Sequence, residues 1–442
     1  MAMIIETGYS QHIEALLKRY QQLLAEHNYD YLVIPSGMPI RKYLDDMDYP
    51  FKVNPHFKAL LPLTDHPHCQ IIIPQTGKPQ LLYYQPVDFW HTVPADPSGA
   101  YTEFFEIQLI ARPEQALPLI PKDGRVVLMG RKEGVLEAVS FSAQNPESLV
   151  YPLYWDRAYK SAYEVECIWQ ANRLAAKAHN AARDEFYRGG NEFSINNAYL
   201  AAANALENDM PYGNIVALNQ NAAILHYTDC QRSTPNKHFS FLIDAGAEVN
   251  GYASDITRTY SYAKNDEFAD LIQAMDEMHL NLLEQIKPQQ SYVDLHVQAH
   301  HRIADILKRF DFVTASADAL VESGVSSAFF PHGLGHQLGL QVHDVGGHQS
   351  EKAGGTTPPP QEHPFLRNTR TIEQDQVLTV EPGLYFIDSL LDDVKQTDLN
   401  DAINWEKINQ FKVFGGIRIE DDILVTADGH RNLSREAFAE VE

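Results

Sequence analysis

Two aspartates, Asp244 and Asp255, stand in one short stretch, FLIDAGAEVNGYASDITRT at residues 241–259. Alternating β-formers flank Asn250-Gly251, a pair in which both residues tolerate positive φ, so the stretch reads as a tight β-hairpin. With those two residues as the loop, Val249 faces Tyr252 and Asp244 faces Thr257, which puts Asp255 on the same face as Asp244. The two become diagonal neighbours roughly 7 Å apart at Cα and closer at their carboxylates. Such a pair can grip metal ions about 3.5–4 Å apart, the arrangement of two-metal hydrolytic sites. Strand aspartates also serve as solubilising edge charges. Against that role, Asp244 directly follows the apolar run Phe241-Leu242-Ile243 and so ends a buried strand.

Further donors follow. Residues 329–348, FFPHGLGHQLGLQVHDVGGH, carry four histidines and five glycines. The glycines argue against a helix, so His332 and His336 are not a helical i, i+4 pair, and they let the backbone approach a ligand closely. One such histidine alone would read as structural; the cluster reads as a site, since neutral imidazole is the commonest metal ligand and proton carrier. In QVLTVEPGLYF (376–386), Glu381 ends a largely apolar strand, where a carboxylate is costly unless paired or metal-bound. In FGGIRIEDDILVT (414–426), alternation points Arg418, Glu420 and Asp422 one way; Asp422 is assigned to a half-solvated outer face and Glu420 to the site. Asp244, Asp255, Glu381, Glu420 and a histidine form a mostly oxygen donor set with four negative charges, which two divalent cations would neutralise. It suits manganese better than a thiolate-seeking metal.

These residues need a scaffold. A chain of 442 residues exceeds one ordinary hydrophobic core, so two domains are expected, and 44% hydrophobic content supports them. Helical spacing of Ile13, Leu16, Leu17, Tyr20, Leu23 and Leu24 predicts a first helix. Strands are predicted at 31–34, 70–73, 80–84, 105–109 and 125–128, making a small α/β domain. Its acidic, aromatic and proline-bearing segment LDDMDYPFKVNP (44–55) has neither periodicity and reads as a long functional loop. The boundary is placed near residue 158, giving domains 1–158 and 159–442. Beyond it a helix starts with the capping-box pair Ser161 and Glu164 and ends at Gly189-Gly190, and a second helix covers 193–206. A similar helix pair recurs at 267–285 and 293–307, each pair followed by strands, the pattern of a weak internal duplication. TTPPPQEHP (356–364) reads as a surface loop.

Charge limits the partners. Lys+Arg 35 against Asp+Glu 59 leaves a net charge of −24, which excludes nucleic acid and anionic membranes. Cys69, Cys167 and Cys230 lie far apart with no C-x-x-C spacing, fitting a reducing compartment. With no signal-peptide pattern and no long apolar run, a soluble cytoplasmic protein is expected.

The motifs FLIDAGAEVNGYASDITRTY, FFPHGLGHQLGLQVHD, TVEPGLYF and FGGIRIEDD resemble those of the Xaa-Pro dipeptidases (prolidases) of the pita-bread metallopeptidase family. The resemblance is to the bacterial group that includes the organophosphorus acid anhydrolases, and LDDMDYPFKVNPHF, YGNIVALNQNAAILHYT and NWEKINQFKVFGGIRIEDD extend it over nearly the whole chain. It implies an α/β (α+β) fold: a small creatinase-like N-terminal domain, then a pita-bread domain with a curved, mainly antiparallel sheet. It implies two Mn2+ per subunit, or Co2+ or another divalent metal, on Asp244, Asp255, His336, Glu381 and Glu420. By the same resemblance Tyr212, His226, Tyr292, His332, His343 and Arg418 line the substrate pocket. The expected reaction is hydrolysis of dipeptides with C-terminal proline by a metal-activated hydroxide, with a side activity on organophosphorus triesters and fluorophosphonates. Glu381 is expected to shuttle the proton, and His343 or His332 to steady the tetrahedral intermediate. Arg418 either binds the substrate carboxylate or forms a salt bridge to a metal-site carboxylate. A homodimer, or a dimer of dimers, is implied, in which Asp45 of the 44–55 loop binds the substrate ammonium across subunits. Departures from the family pattern are confined to the N-terminal domain and segments such as 311–323. A metal-free binding module, a creatinase and an aminopeptidase remain as alternatives on the same scaffold.

Overall fold

The computed structural model describes residues 2–441, and side chains from residue 8 onward. It divides into two compact units. The first comprises Met1–Asp156 with Ser161–Cys167 and Lys352–Gly354, and the second comprises Arg157–Lys160, Ile168–Glu351 and Gly355–Glu442.

In the first unit, five-residue strands Tyr31–Pro35, Gln70–Pro74, Gln80–Tyr84 and Glu106–Ile110 join Val126–Leu128 and Ala143–Gln144 in one mixed six-stranded sheet. The central strand, Tyr31–Pro35, pairs antiparallel with Gln70–Pro74 and parallel with Val126–Leu128. One face buries Val33, Ile72, Leu82, Ile110 and Leu128, the β-branched and leucine content that a pleated core surface favours. The 44–55 segment holds no strand beyond a single bridge and meets a helix only at its last residue, where Pro55–Lys58 begins, and Tyr43 and Leu44 are 89% and 90% exposed.

The second unit repeats a helix pair followed by antiparallel strands. Its first helices, Ala162–Tyr187 from Ile168 onward and Glu192–Ala203, precede a three-stranded sheet of Ile215–Leu218, Ser240–Asp244 and Thr257–Ser261. Its second pair, Glu267–Leu283 and Tyr292–Arg309, precedes Val377–Val380, Gly383–Tyr385, Gly416–Arg418, Asp421–Val425 and His430–Asn432. Side-chain caps from Asn191, Asp266 and Ser291 onto the third residue beyond each start three of these helices, each cap worth about 1 kcal/mol. The predicted helix 193–206 stops at Ala203, because Asn204 turns left-handed (φ 51°) and closes the helix. Phe268, Met275, Leu282, Leu295, Ile303, Leu378 and Ile423 belong to one large apolar cluster that fixes the second helix pair on its strands.

Two predicted strands are each broken. Segment 376–386 splits at Glu381-Pro382, and segment 414–426 splits at Ile419-Glu420. Proline has no N–H to give a ladder, and both breaks fall at candidate site carboxylates.

Candidate metal centre

The hairpin keeps the register its turn dictates. Val249 pairs with Tyr252 and Asp244 with Thr257, and between these strands Ala245 N donates to Ile256 O and Ser254 N to Ala247 O. Asp244 and Asp255 therefore share a face, and the Tyr212 hydroxyl lies 2.8 Å from Oδ1 of Asp244 and 2.5 Å from Oδ1 of Asp255. The other carboxylates reach the same point from the strand breaks. A single bridge joins Thr257 to Glu420, and the Thr257 hydroxyl donates to Glu420 Oε2 at 2.6 Å.

His336 enters from the glycine-rich loop, which is not helical. Its Nδ1 is 3.0 Å from Gln337 O, so Nδ1 carries the proton and the Nε2 lone pair is directed inward, the usual way a backbone carbonyl sets a ligand imidazole. Nε2 lies 3.4 Å from Asp255 Oδ2 and 3.8 Å from Glu381 Oε1. Ligand atoms of Asp255, His336 and Glu420 all fall within 4.8 Å of one another. Gly335 permits this: a Cβ there would meet Thr379 O at 2.2 Å, at a φ of +154°.

The electrostatics test whether cations fit. Burial, with the neighbouring carboxylates, raises the Asp255 carboxyl above its usual value and Glu420 well above. Burial chiefly pushes Glu381 up to about 7, while His336 and Arg418 pull it down and Asp255 raises it. Arg418 is the one guanidinium hydrogen-bonded to these carboxylates among the described residues, and its partner is Asp244, at 2.7 Å. Two buried carboxylates and a partly buried third that repel one another, facing an imidazole lone pair, form a donor set that divalent cations satisfy. Asp244, Asp255, His336, Glu381 and Glu420 could hold them.

Some expected pocket residues are placed otherwise. Arg418 is 4% exposed, and each guanidinium nitrogen has a partner: Nε donates to Thr257 Oγ1, one terminal nitrogen to Tyr385 OH and the other to Asp244. This geometry favours the salt-bridge alternative, the pairing of Arg418 with Asp244. Tyr292 is wholly buried, its hydroxyl donating to Thr379 O at 2.7 Å, beneath the strand that leads to Glu381. Asp422 is not half-solvated but fully buried. Its Oδ2 accepts from Asn172 Nδ2 at 2.8 Å and from Asp255 N at 3.1 Å, so it anchors the Asp255 backbone. Its carboxyl is raised well above the usual value by burial and by Asp255. Asp421, on the opposite face, is held by Arg258 and Arg435 and is driven far below the usual range despite burial.

His332 lies 3.7 Å from Glu381 Oε2. Its Nδ1 contacts Gly333 O and its Nε2 contacts Tyr385 OH, and burial, then Arg418, lowers it to about 3, so it is a neutral acceptor at Nε2. His343 stacks edge-on against His336 at 4.4 Å, and exposed His226 acts on both His332 and His343 through its charge. Asp45 lies at the exposed tip of the first unit's loop, accepting from Met47 N. Sequence reading missed Arg367. It is exposed, its charge is felt at His343, and no carboxylate or hydrogen-bond partner meets its side chain among the described residues.

Comparison with known proteins shows the family. The model of metallopeptidase family M24 matches residues 166–427, and that of the Xaa-Pro dipeptidase N-terminal domain matches residues 7–155. The chain belongs to metallopeptidase family M24. It is 52% identical over 428 residues to a Xaa-Pro dipeptidase of Pseudoalteromonas haloplanktis, covering 97% of both chains. It is 48% identical over 429 residues to one of Shewanella denitrificans, again covering 97% of each. Among solved structures, aminopeptidase P of Escherichia coli in its low-pH form superposes with a TM-score of 0.74 at 22% identity, covering 98% of this chain and 97% of that one. Proline aminopeptidase P II from Yersinia pestis gives 0.71 at 23%, covering 98% of each. These likenesses show the fold, which is the pita-bread fold expected, behind a creatinase-like N-terminal domain. This M24 member is a metal-dependent peptide hydrolase, and no helix among its described residues is long and apolar enough to cross a membrane.

Proposed function

We propose that this M24 chain is an Xaa-Pro dipeptidase, cleaving the imide bond before a C-terminal proline at the centre formed by Asp244, Asp255, His336, Glu381 and Glu420. The observation that carries the chemistry is the convergence of Asp255, Glu381 and Glu420 on His336 Nε2, with the one nearby guanidinium, Arg418, hydrogen-bonded to Asp244 rather than to any of the three. The specificity rests on the resemblance to the dipeptidases of Pseudoalteromonas and Shewanella. Two divalent cations bound there would supply Lewis acidity toward the scissile carbonyl and a nucleophilic water at neutral pH. The oxygen-rich donor set favours Mn2+, with Co2+ as a substitute.

The chain's own residues divide the remaining work. Arg418 and Tyr212 hold Asp244 and Asp255 in place, and Thr257 holds Glu420. Glu381, with a carboxyl near neutral, carries the proton to the departing proline nitrogen, which cannot leave unprotonated. His332 has both nitrogens engaged, so His343 is the better group to steady the tetrahedral intermediate. Arg367, with no carboxylate partner, takes the substrate carboxylate in place of Arg418.

The N-terminal domain, 1–158, serves dimerisation and closes the site. Support comes from the 44–55 region, where Tyr43, Leu44, Met47 and Tyr49 are exposed around Asp45, an apolar surface that suits a partner. In this reading Asp45 binds the substrate ammonium of the neighbouring subunit in a homodimer. Cys69, Cys167 and Cys230 are not joined in disulfides, which fits the cytoplasm. A phosphotriester side activity follows from the likeness of a tetrahedral phosphoryl centre to the peptide intermediate.

The test is a panel of Xaa-Pro dipeptides and longer Xaa-Pro peptides, assayed after chelation and after Mn2+ is restored. Cleavage confined to dipeptides and recovered with metal supports the reading. Preference for longer peptides assigns an aminopeptidase instead.

A further inference from the structure

A second cluster of donors lies apart from the five carboxylate and imidazole groups just described. His296 and His300 sit one helical turn apart on the helix Tyr292–Arg309, so both rings leave the same face, and the loop 356–364 returns His363 to them. The three rings meet pairwise at centroid distances of 4.7, 4.4 and 4.6 Å, and one nitrogen of each lies within 4.8 Å of the other two.

The cluster is built, not incidental surface. His296 and His300 are each 1% exposed. His300 spends Nδ1 on Ser326 Oγ at 3.0 Å, which leaves Nε2 for another partner, and His296 Nδ1 is buried with no hydrogen-bond partner at all. A buried imidazole nitrogen left unpaired needs a reason. Burial lowers all three histidines, His300 to about 3, so they are neutral and their lone pairs are available. All three line a cavity of about 450 Å³ whose wall also carries the carboxylates of Glu362 and Asp393. Aromatic packing alone, against Phe330, would be served as well by Phe or Leu and would leave no orphaned nitrogen.

We propose that His296, His300 and His363 form a third metal site that binds one borderline transition-metal cation of the Zn2+ class, with its open coordination position facing the cavity. Three imidazole nitrogens and one solvent position are the donor count of a tetrahedral Zn2+ centre, in which ligand nitrogens stand roughly 3.3 Å apart, so the three rings, whose nitrogens lie within 4.8 Å of one another, would close to that spacing on binding. The donor chemistry separates this site from the other. Nitrogen ligands select Zn2+, Co2+ or Ni2+, whereas the carboxylate-rich centre suits harder cations, so the chain sorts two classes of metal. His332 stands at the divide, lining this cavity while approaching Glu381.

The experiment loads the full-length enzyme with Mn2+, adds Zn2+, and counts both metals per chain in wild type and in His363→Gln. His363 is the least buried of the three and lies on a loop, so its replacement spares the fold; a second variant, His300→Gln, is read in parallel where its melting temperature matches wild type. Wild type should retain one equivalent of Zn2+ more than His363→Gln, with affinity for that equivalent weakened about 100-fold by the substitution and Mn2+ content equal in both. With Co2+ in place of Zn2+, the wild type alone should gain the strong visible absorption of a tetrahedral ion. Equal Zn2+ counts in wild type and His363→Gln overturn the proposal.

Discussion

The Arg418 guanidinium donates to Asp244 Oδ2 at 2.7 Å while its other nitrogens hold Thr257 Oγ1 and Tyr385 OH. One cation thereby ties a candidate ligand from the hairpin to the hydroxyl that orients Glu420. Arg418→Gln should lower bound Mn2+ by half or more and reduce kcat at least tenfold, with KM within about twofold, because unpairing a buried ion pair costs about 3–5 kcal/mol. Metal content and steady-state kinetics check this. A raised KM with full metal content would return Arg418 to the substrate carboxylate.

Metal stabilisation should grow with pH. Burial raises Asp255, Glu420 and Glu381, the last to about 7. Carboxyls raised on folding stabilise the metal-free chain fully only below their unfolded value, and that contribution is lost as pH rises through the folded value. Cations bind the ionised forms. The gap in melting temperature between Mn2+-loaded and metal-free protein should therefore widen by roughly 2–5 °C from about pH 5.5 to about pH 8. A constant gap in thermal scans would refute the assignment of these carboxylates to the metals.

The Asp45 proposal predicts a trans effect. Asp45→Ala should raise KM for dipeptides about tenfold, relax the exclusion of tripeptides and leave metal content unchanged. Mixed with inactive Asp244→Asn, it should partly recover wild-type KM, because only a heterodimer joins an intact centre to an intact loop. Kinetics of the mixture, with subunit exchange verified, decide it; no recovery means the loop does not act in trans.

Chelator-sensitive release of fluoride or nitrophenol from fluorophosphonates or phosphotriesters is expected, slower than dipeptide hydrolysis. Product assay before and after chelation measures it, and a rate equal to that of buffer would reject the side activity.

The register of the hairpin and the two helix pairs were legible, because turn chemistry and apolar runs are local properties of the chain; the same runs singled out Asp244 and Glu381 at their ends, whereas His336 was chosen from its loop only through the family resemblance. Asp422 was not legible. Alternation places it on the face of Glu420, but its burial depends on Asn172, 250 residues away in sequence, a partner no periodicity announces. Arg418 stayed undecided for the same reason: the pattern gives its face, whereas Asp244 and Tyr385 decide its occupation. Tyr292 opens a helix, and only the return of Thr379 onto its hydroxyl shuts it away from solvent.

The turn at Asn250-Gly251 acts as a ruler. With Val249 opposite Tyr252, the sum of paired positions is fixed down to Asp244 and Thr257, and because strand side chains alternate, a shift of one residue would send Asp255 to the opposite face from Asp244. Substitutions at the tip alter its comfort; a single inserted or deleted residue alters the gauge between two carboxylates. Length at this turn therefore matters to the centre more than composition does, and a two-residue turn sets the spacing of the chemistry beneath it.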